Sequence, residues 1–225
     1  MPIRLKLFLW ISLLGVMVIV GTISFMSRQA LMIIESSEEE ELRHLGNVIQ
    51  AKLDEQTEAA RDMTLSIANN REVQRIFARR DRNQLLEEML PVYEAVKHRY
   101  AQMQFHLPDS TSFLRLHQPD RYGDSLQSFR FTVNEANHSL KVSAGLEEGR
   151  GGYGLRVVAP MFFNSQHIGS VEFGGDFGPA FIEGLKTDFE GEYFIYQLQD
   201  LDITWEELSA QSSGLLAATA DTDHW

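Results

Sequence analysis

A chain of 225 residues and 25.7 kDa with 44% hydrophobic and 23% charged residues has ordinary globular composition. This excludes a wholly disordered or collagen-like chain. Lys+Arg is 20 against Asp+Glu 32, a formal net charge of −12, and so acidic a surface repels phosphate backbones and excludes nucleic acid as a partner. There is no cysteine, so disulfides, zinc–thiolate sites, iron–sulfur clusters and thiol catalysis are excluded too.

The first element is a run of 21 uncharged residues, Leu7 to Ser27. At about 1.5 Å per residue it spans the roughly 30 Å hydrocarbon core of a bilayer. It is longer than the apolar region of a signal peptide and no convincing small-x-small cleavage site follows, so it reads as an uncleaved anchor. Arg4 and Lys6 precede it, whereas Arg28 and then Glu35, Glu38, Glu39, Glu40 and Glu41 follow. The positive-inside rule places residues 1–6 in the cytoplasm and everything beyond Arg28 outside, a single-pass protein of the cell membrane with its bulk periplasmic or extracellular. No later stretch is long enough to span.

Residues 28–100 read as helical. Leu42, Leu45, Ile49 and Leu53 recur at spacings of three and four, a narrow apolar seam through which the helix would pair with its copy in a homodimer. Neither Pro nor Gly intervenes before Gly46, so this helix should continue from the membrane span without a break. Asn69 and Asn70 read as its stop. A short helix around Val73 to Phe77 and another from about Asn83 to Tyr100 follow, with Pro91 expected to kink or divide the last.

Residues 101–178 change to a strand period. Met103, Phe105 and Leu107 alternate with Gln104 and His106, and Ser112 to His117 is a second strand. Leu126 to Asn137 suits a short helix. Val142 to Glu147, Gly154 to Phe163 and Ile168 to Phe173 complete five strands, joined at the end by Gly-rich and Asn164-Ser165 turns. Long N-terminal helices followed by a five-stranded antiparallel sheet make an α+β fold. Residues 179–225 give a helix at about Ala180 to Phe189 and a strand at Tyr193 to Leu198. Beyond Asp200 the signal fades, as though a following subdomain begins and is incomplete.

Strand alternation places Phe113, Arg115 and His117 on one face, and Arg156, Glu147 and Glu172 each sit in an apolar run. Two readings stay open. These residues form the wet face of a sheet, or a concave face on which Arg115, Arg156 and Arg130 meet a small anion. Arginine offers a permanent charge in a planar fork suited to carboxylates. Glu147 and Glu172 would then position the guanidinium groups or receive the amine of a ligand. His106 and His117, with Asp124 or Glu147, allow a metal site, although local hydrogen bonding is the commoner role for such a pair. Ser112, His117 and Asp124 invite a nucleophile reading, but no G-x-S-x-G elbow surrounds the serine. The glycines 149, 151, 152 and 154 fit no phosphate-binding pattern. The chain therefore reads as no enzyme, with no cofactor.

The runs FHLPDSTSFLRLHQPDRYGDSLQSFR, GLEEGRGGYGLRVVAPMF and IGSVEFGGDFG resemble the Cache sensory domains of bacterial chemoreceptors and sensor kinases. The resemblance is greatest to the double-Cache group with the pattern H-L-P-x-x-x-S-F-L-R-x-H-x-P-x-x-x-G-D, here His106 to Asp124. It implies a PAS-like sheet behind a membrane-leading helix and sensing of a small organic molecule outside the membrane, in a chemoreceptor, sensor kinase or cyclase-type receptor. By that analogy the pocket would be lined by His106, Phe113, Arg115, His117, Arg130, Glu147, Arg156 and Glu172, with Asp124 at the site and the loops around Pro119 to Asp124 and Gly149 to Gly154 ordered by the ligand. Family members normally continue into a second span, a relay and an output module, so the resemblance also implies a fragment or a truncated product. The competing expectation is a membrane-tethered helical interaction module with no small ligand.

Overall fold

A computed structural model describes residues 2–149, 152–187, 193–196 and 215–218. The chain divides into two compact units, residues 1–51 and 52–225. In the first unit the described residues from Ile3 onward are helical and belong to α1 (Ile3–Ala68), which is one helix across its whole length. Lys6–Ala30 is apolar and long enough to cross a membrane, and its large side chains, from Leu7 to Met26, are exposed. Its polar groups are satisfied within the helix: Thr22 Oγ1 donates to the Val18 and Ile19 carbonyls and Ser27 Oγ to that of Ile23. That is the arrangement an apolar solvent requires. Leu42 is 68% exposed, so the seam begins on open surface.

In the second unit α1 stops at Ala68, where the two asparagines were expected to end it. Asn70 is the N-cap of α2 (Arg71–Ala78), its side chain accepting from the amides of Glu72 and Val73. Asp81 caps α3 (Arg82–Val96) by accepting from Gln84 N–H. Pro91 does not divide α3. Pro91 and Glu87, whose carbonyl loses its helical partner, both lie on the exposed side where water can replace the missing bond.

The sheet has five antiparallel strands in the order β2-β1-β5-β4-β3, with β1 Gln102–His106, β2 Ser112–Arg115, β3 Ser143–Gly149, β4 Gly152–Phe163 and β5 Gln166–Asp176. The β4–β5 turn is the expected pair Asn164-Ser165, with φ of 50° and 65°. Two successive left-handed residues match the twist of a two-residue hairpin. One face of the sheet carries Met103, Phe105, Leu114, Val157, Met161, Val171 and Phe173 against Ile67, Ile76, Phe77, Leu85 and Met89 of α1, α2 and α3, the main core. Gly169, at φ 130°, lets Phe77 reach the sheet: a Cβ there would meet the His106 carbonyl oxygen and the Phe77 ring.

The other face is covered by α4 (Phe131–Ser139), with Val133 and Ala136 packed on Val158. The expected helix from Leu126 therefore starts five residues late. Leu126 to Arg130 is instead a turn, with Phe129 and Arg130 N–H both donating to the Leu126 carbonyl. Both faces being covered, the alternating charged residues are buried, and the wet-face reading fails. α5 (Pro179–Glu183) and a 3₁₀ turn (Gly184–Thr187) follow the sheet, covering part of the expected helix whose last residues lie outside the described ones. β6 (Phe194–Tyr196), within the expected strand, pairs antiparallel with β7 (Leu215–Ala218), which sequence reading missed.

Candidate functional site

Cross-strand register brings the polar residues together. Gln104 pairs with Arg115 on one side and Glu172 on the other, His106 with Ser170, and Arg156 with Gly145 and Gly174. All of these side chains rise from the face under α4. Phe113 does not join them. Phe105 pairs with Leu114 but His106 with Ser112, so β2 carries one extra residue at Phe113. Such a bulge breaks strict alternation. It turns Phe113 to the helix-packed face, where its ring centroid is 5.2 Å from that of Phe77.

Glu172 is the centre of the buried charges and is itself fully buried. Its Oε1 accepts from Arg130 Nη2 at 2.7 Å and lies 3.8 Å from Arg156 Nη1, while Oε2 lies 3.4 Å from His106 Nε2. Burial alone would raise its carboxyl pKa. Arg130, His106 and Arg156 overcome that and hold it down at about 2. Arg130 Nε donates to Glu147 Oε2 at 2.7 Å. Glu147 also accepts from the Thr132 amide and hydroxyl, both at 2.8 Å, and so caps the start of α4 from a neighbouring strand. His106 Nδ1 sits 3.2 Å from Ser170 Oγ, and burial pushes the ring down to about 4, so it is neutral near pH 7.

Arg156 Nη1 donates to Gln102 Oε1 at 2.8 Å. Its guanidinium lies in a cradle of glycines. A Cβ on Gly174 would land on Nη1 and come within 3.2 Å of Cζ, and one on Gly154 would stand 2.9 Å from Cζ. Gly174→Ala is thus expected to displace Arg156 from Gln102 and Glu172 and cost about 1–3 kcal/mol by overpacking, read in urea denaturation. A cost below about 0.5 kcal/mol would show that the cradle is slack.

Above this face the chain from Leu116 to Leu126 folds over as a loop. Arg115 grips it with a fork: Nη1 and Nη2 donate to Asp124 Oδ1 and Oδ2 at 2.7 and 2.9 Å, and Nη1 also to the Arg121 carbonyl at 2.8 Å. Arg82 of α3 holds the outer side, stacked 3.9 Å over the Tyr122 ring and donating to the Pro119 carbonyl. Between loop and sheet lies a cavity of about 110 Å³. It is lined by Gln102, Gln104, Arg115, His117, Gln118, Arg121, Leu126, Phe129, Arg130 and Gly149. Gln104 is 2% exposed, and its Oε1 has no hydrogen-bond partner. His117 Nδ1 lies 3.4 Å from the Met103 carbonyl, and burial lowers its pKa.

Of the expected residues, Arg115, His117 and Arg130 line the cavity. Asp124, Glu147, Glu172, Arg156 and His106 hold one another or those arginines. Sequence reading missed Gln102, Gln104 and Arg121, although alternation in Gln102–His106 already put both glutamines on the face of His106. Among the described residues no three His, Asp or Glu side chains are grouped to hold a metal ion. His106 and His117 are engaged with Ser170 and the Met103 carbonyl respectively.

Residues 35–224 match the family dCache_3, described as a double sensory domain of two-component sensor kinase. The chain belongs to that family. No curated protein matches it. Solved structures with a similar fold include the sensor domain of the Vibrio cholerae histidine kinase DctB (14% identity, 73% of this chain and 63% of that one, TM-score 0.54). The periplasmic domain of V. cholerae LuxQ is similar as well (14% identity, 80% and 79%, TM-score 0.53). So is a domain of a putative sensory box/GGDEF family protein from V. parahaemolyticus (16% identity, 76% and 77%, TM-score 0.52). At such identities the likeness is one of fold. The dCache_3 chain is thus a sensory domain, and its relatives are sensors rather than catalytic domains.

Proposed function

We propose that this dCache_3 chain is the extracytoplasmic ligand-sensing part of a transmembrane receptor, and that the cavity under the 116–126 loop takes a small organic acid or amine. Residues 7–27 anchor it, with residues 1–6 in the cytoplasm, and two copies pair along the seam of Leu42, Leu45, Ile49 and Leu53. The observation that carries the reading is Gln104 Oε1, a buried acceptor without a partner, in a cavity ringed by Arg115, Arg121 and Arg130. A buried orphan acceptor is costly and asks for a donor. The arginines ask for a carboxylate. A small molecule carrying both an acid group and an N–H or O–H donor answers both, and 110 Å³ holds only a few heavy atoms.

A larger cleft of about 400 Å³, lined by Lys52, Glu55, His98, Tyr100 and Phe181, lies on the opposite, helix-packed side. It contains no buried unpartnered polar atom among the described residues, and Lys52 already donates to the Gly184 carbonyl. The test is calorimetric titration of the full chain in lipid nanodiscs with a panel of small carboxylates, hydroxy acids, amino acids and amines. One class should bind, and Arg115→Ala should weaken it about 30-fold, the value of a lost charge-assisted contact of about 2 kcal/mol. Undiminished binding in both Arg115→Ala and Gln104→Ala would move the site elsewhere.

A further inference from the structure

Of the arginines around the cavity, Arg121 donates to Gln118 Oε1, whereas Arg115 and Arg130 are each closed by carboxylates of the chain itself, and those two closures differ in kind. Arg130 is locked. Its partners Glu147 and Glu172 have side chains only 6% and 0% exposed, and Glu147 is further held by the amide and hydroxyl of Thr132. Arg115 is not locked in this way. Its side chain is 9% exposed, whereas that of Asp124 is 29% exposed and sits on a loop. Asp124 presents both oxygens to the two Nη atoms in the bidentate geometry that a free carboxylate would adopt.

The backbone at Asp124 is held independently of that side chain. Gly123 N–H donates to the Ser112 carbonyl at 2.7 Å and Ser112 N–H to the Asp124 carbonyl at 2.9 Å. The parting of the carboxylate from Arg115 therefore need not unpair the loop from β2.

We propose that Asp124 is an internal competitor: it occupies, in the ligand-free protein, the place on Arg115 that the carboxylate of the ligand takes. This rests on the reading of the cavity as the sensory pocket and adds how that pocket is set. Gln104 Oε1 receives the donor of the ligand, Arg115 exchanges one carboxylate for another, and the released Asp124 turns outward to water. Sensitivity is then fixed by the fraction of time Arg115 is unmasked, since a site open one-tenth of the time binds about ten times more weakly. The loop feels the exchange directly, because the same guanidinium holds the Arg121 carbonyl and Arg82 ties Pro119 and Tyr122 to α3.

The experiment uses the full chain in nanodiscs with acetate, glycolate and glycine as probes, titrated by calorimetry. Asp124→Asn should bind glycolate or glycine at least 10-fold more tightly than the native chain, and more tightly than acetate, which lacks the donor. Asp124→Glu, which keeps the charge, should stay near the native affinity. The gain should disappear in the double variant Asp124→Asn/Arg115→Gln. Asp124→Ser replaces Asp124→Asn if circular dichroism shows the latter misfolded.

Binding of any panel compound by the native chain, with no gain on removing the Asp124 charge, overturns the competitor and leaves the sensory pocket standing. A gain that survives loss of Arg115 overturns it too. Failure of the native chain and every variant to bind any compound, panel or probe, overturns both readings.

Discussion

Replacing Glu172 by alanine is expected to destabilise the chain by about 3–5 kcal/mol, because it strips one partner from a buried ionic cluster. The carboxylate is fully buried between Arg130 and Arg156, with His106 on its second oxygen. Without it Arg130 keeps only Glu147, and the buried cluster gains a net positive charge. Glu172→Gln keeps the shape and one acceptor, so its cost should be smaller, yet the charge imbalance persists. Urea denaturation of the full chain in nanodiscs, followed by circular dichroism, measures both. A cost under about 1 kcal/mol for Glu172→Ala would mean that water or rearrangement solvates the arginines, and that the cluster is less closed than its burial implies. The same substitution should loosen the cavity, since Arg130, one of its walls, is aimed by Glu172.

Local chemistry was legible from the residues, and long-range placement was not. The end of α1 could be read at Asn69-Asn70 because capping is an interaction within three residues. The β4–β5 hairpin could be read at Asn164-Ser165 because its geometry is decided by two φ angles. Phe113 was assigned to the wrong face because alternation assumes an unbroken ladder, and the extra residue in β2 is set by its pairing with β1. Pro91 does not divide α3, since a helix interrupted on its wet side need not stop. β7 was missed because Leu-Leu-Ala-Ala is too short and too helix-prone to announce a strand.

The candidate site shows the same division. That Arg115, Arg156, Glu147 and Glu172 act together followed from charges placed at alternating positions in apolar strands, and Arg130 joined them from the expected 126–137 helix. Whether they faced water or protein depended on α4 and the 116–126 loop, which cross over from elsewhere in the chain. Gln104 carries no charge and resembles any solvent-facing strand residue. It became informative only once its Oε1 was seen buried beside Arg115 without a partner. Gly174 likewise reads as a loosened strand end, and its reason is the guanidinium that lies against it.

Acid should weaken the fold in two successive steps. The native His106 has its pKa lowered to about 4, chiefly by burial, which outweighs the nearby Glu172 carboxylate with help from Arg130 and Arg115. Between its ordinary value of 6.5 and about 4, the unfolded chain therefore binds a proton that the folded chain refuses, and stability falls with falling pH. Glu172 acts in the same direction lower down: its contribution is complete above 4.5 and is lost as the pH drops toward about 2. The first step is worth on the order of 3 kcal/mol, taking about 1.4 kcal/mol per pKa unit. His117 and His167, also lowered by burial, add to the upper step. Thermal unfolding of the full chain at half-unit intervals from pH 7.5 to 4.5 should show the loss. In His106→Gln the same curve should be shallower over that range without becoming flat, because His117 and His167 still titrate. Parallel curves for the two proteins would mean that His106 takes up its proton in the folded state as readily as in the unfolded one, with Glu172 Oε2 as its acceptor and burial too weak to prevent it.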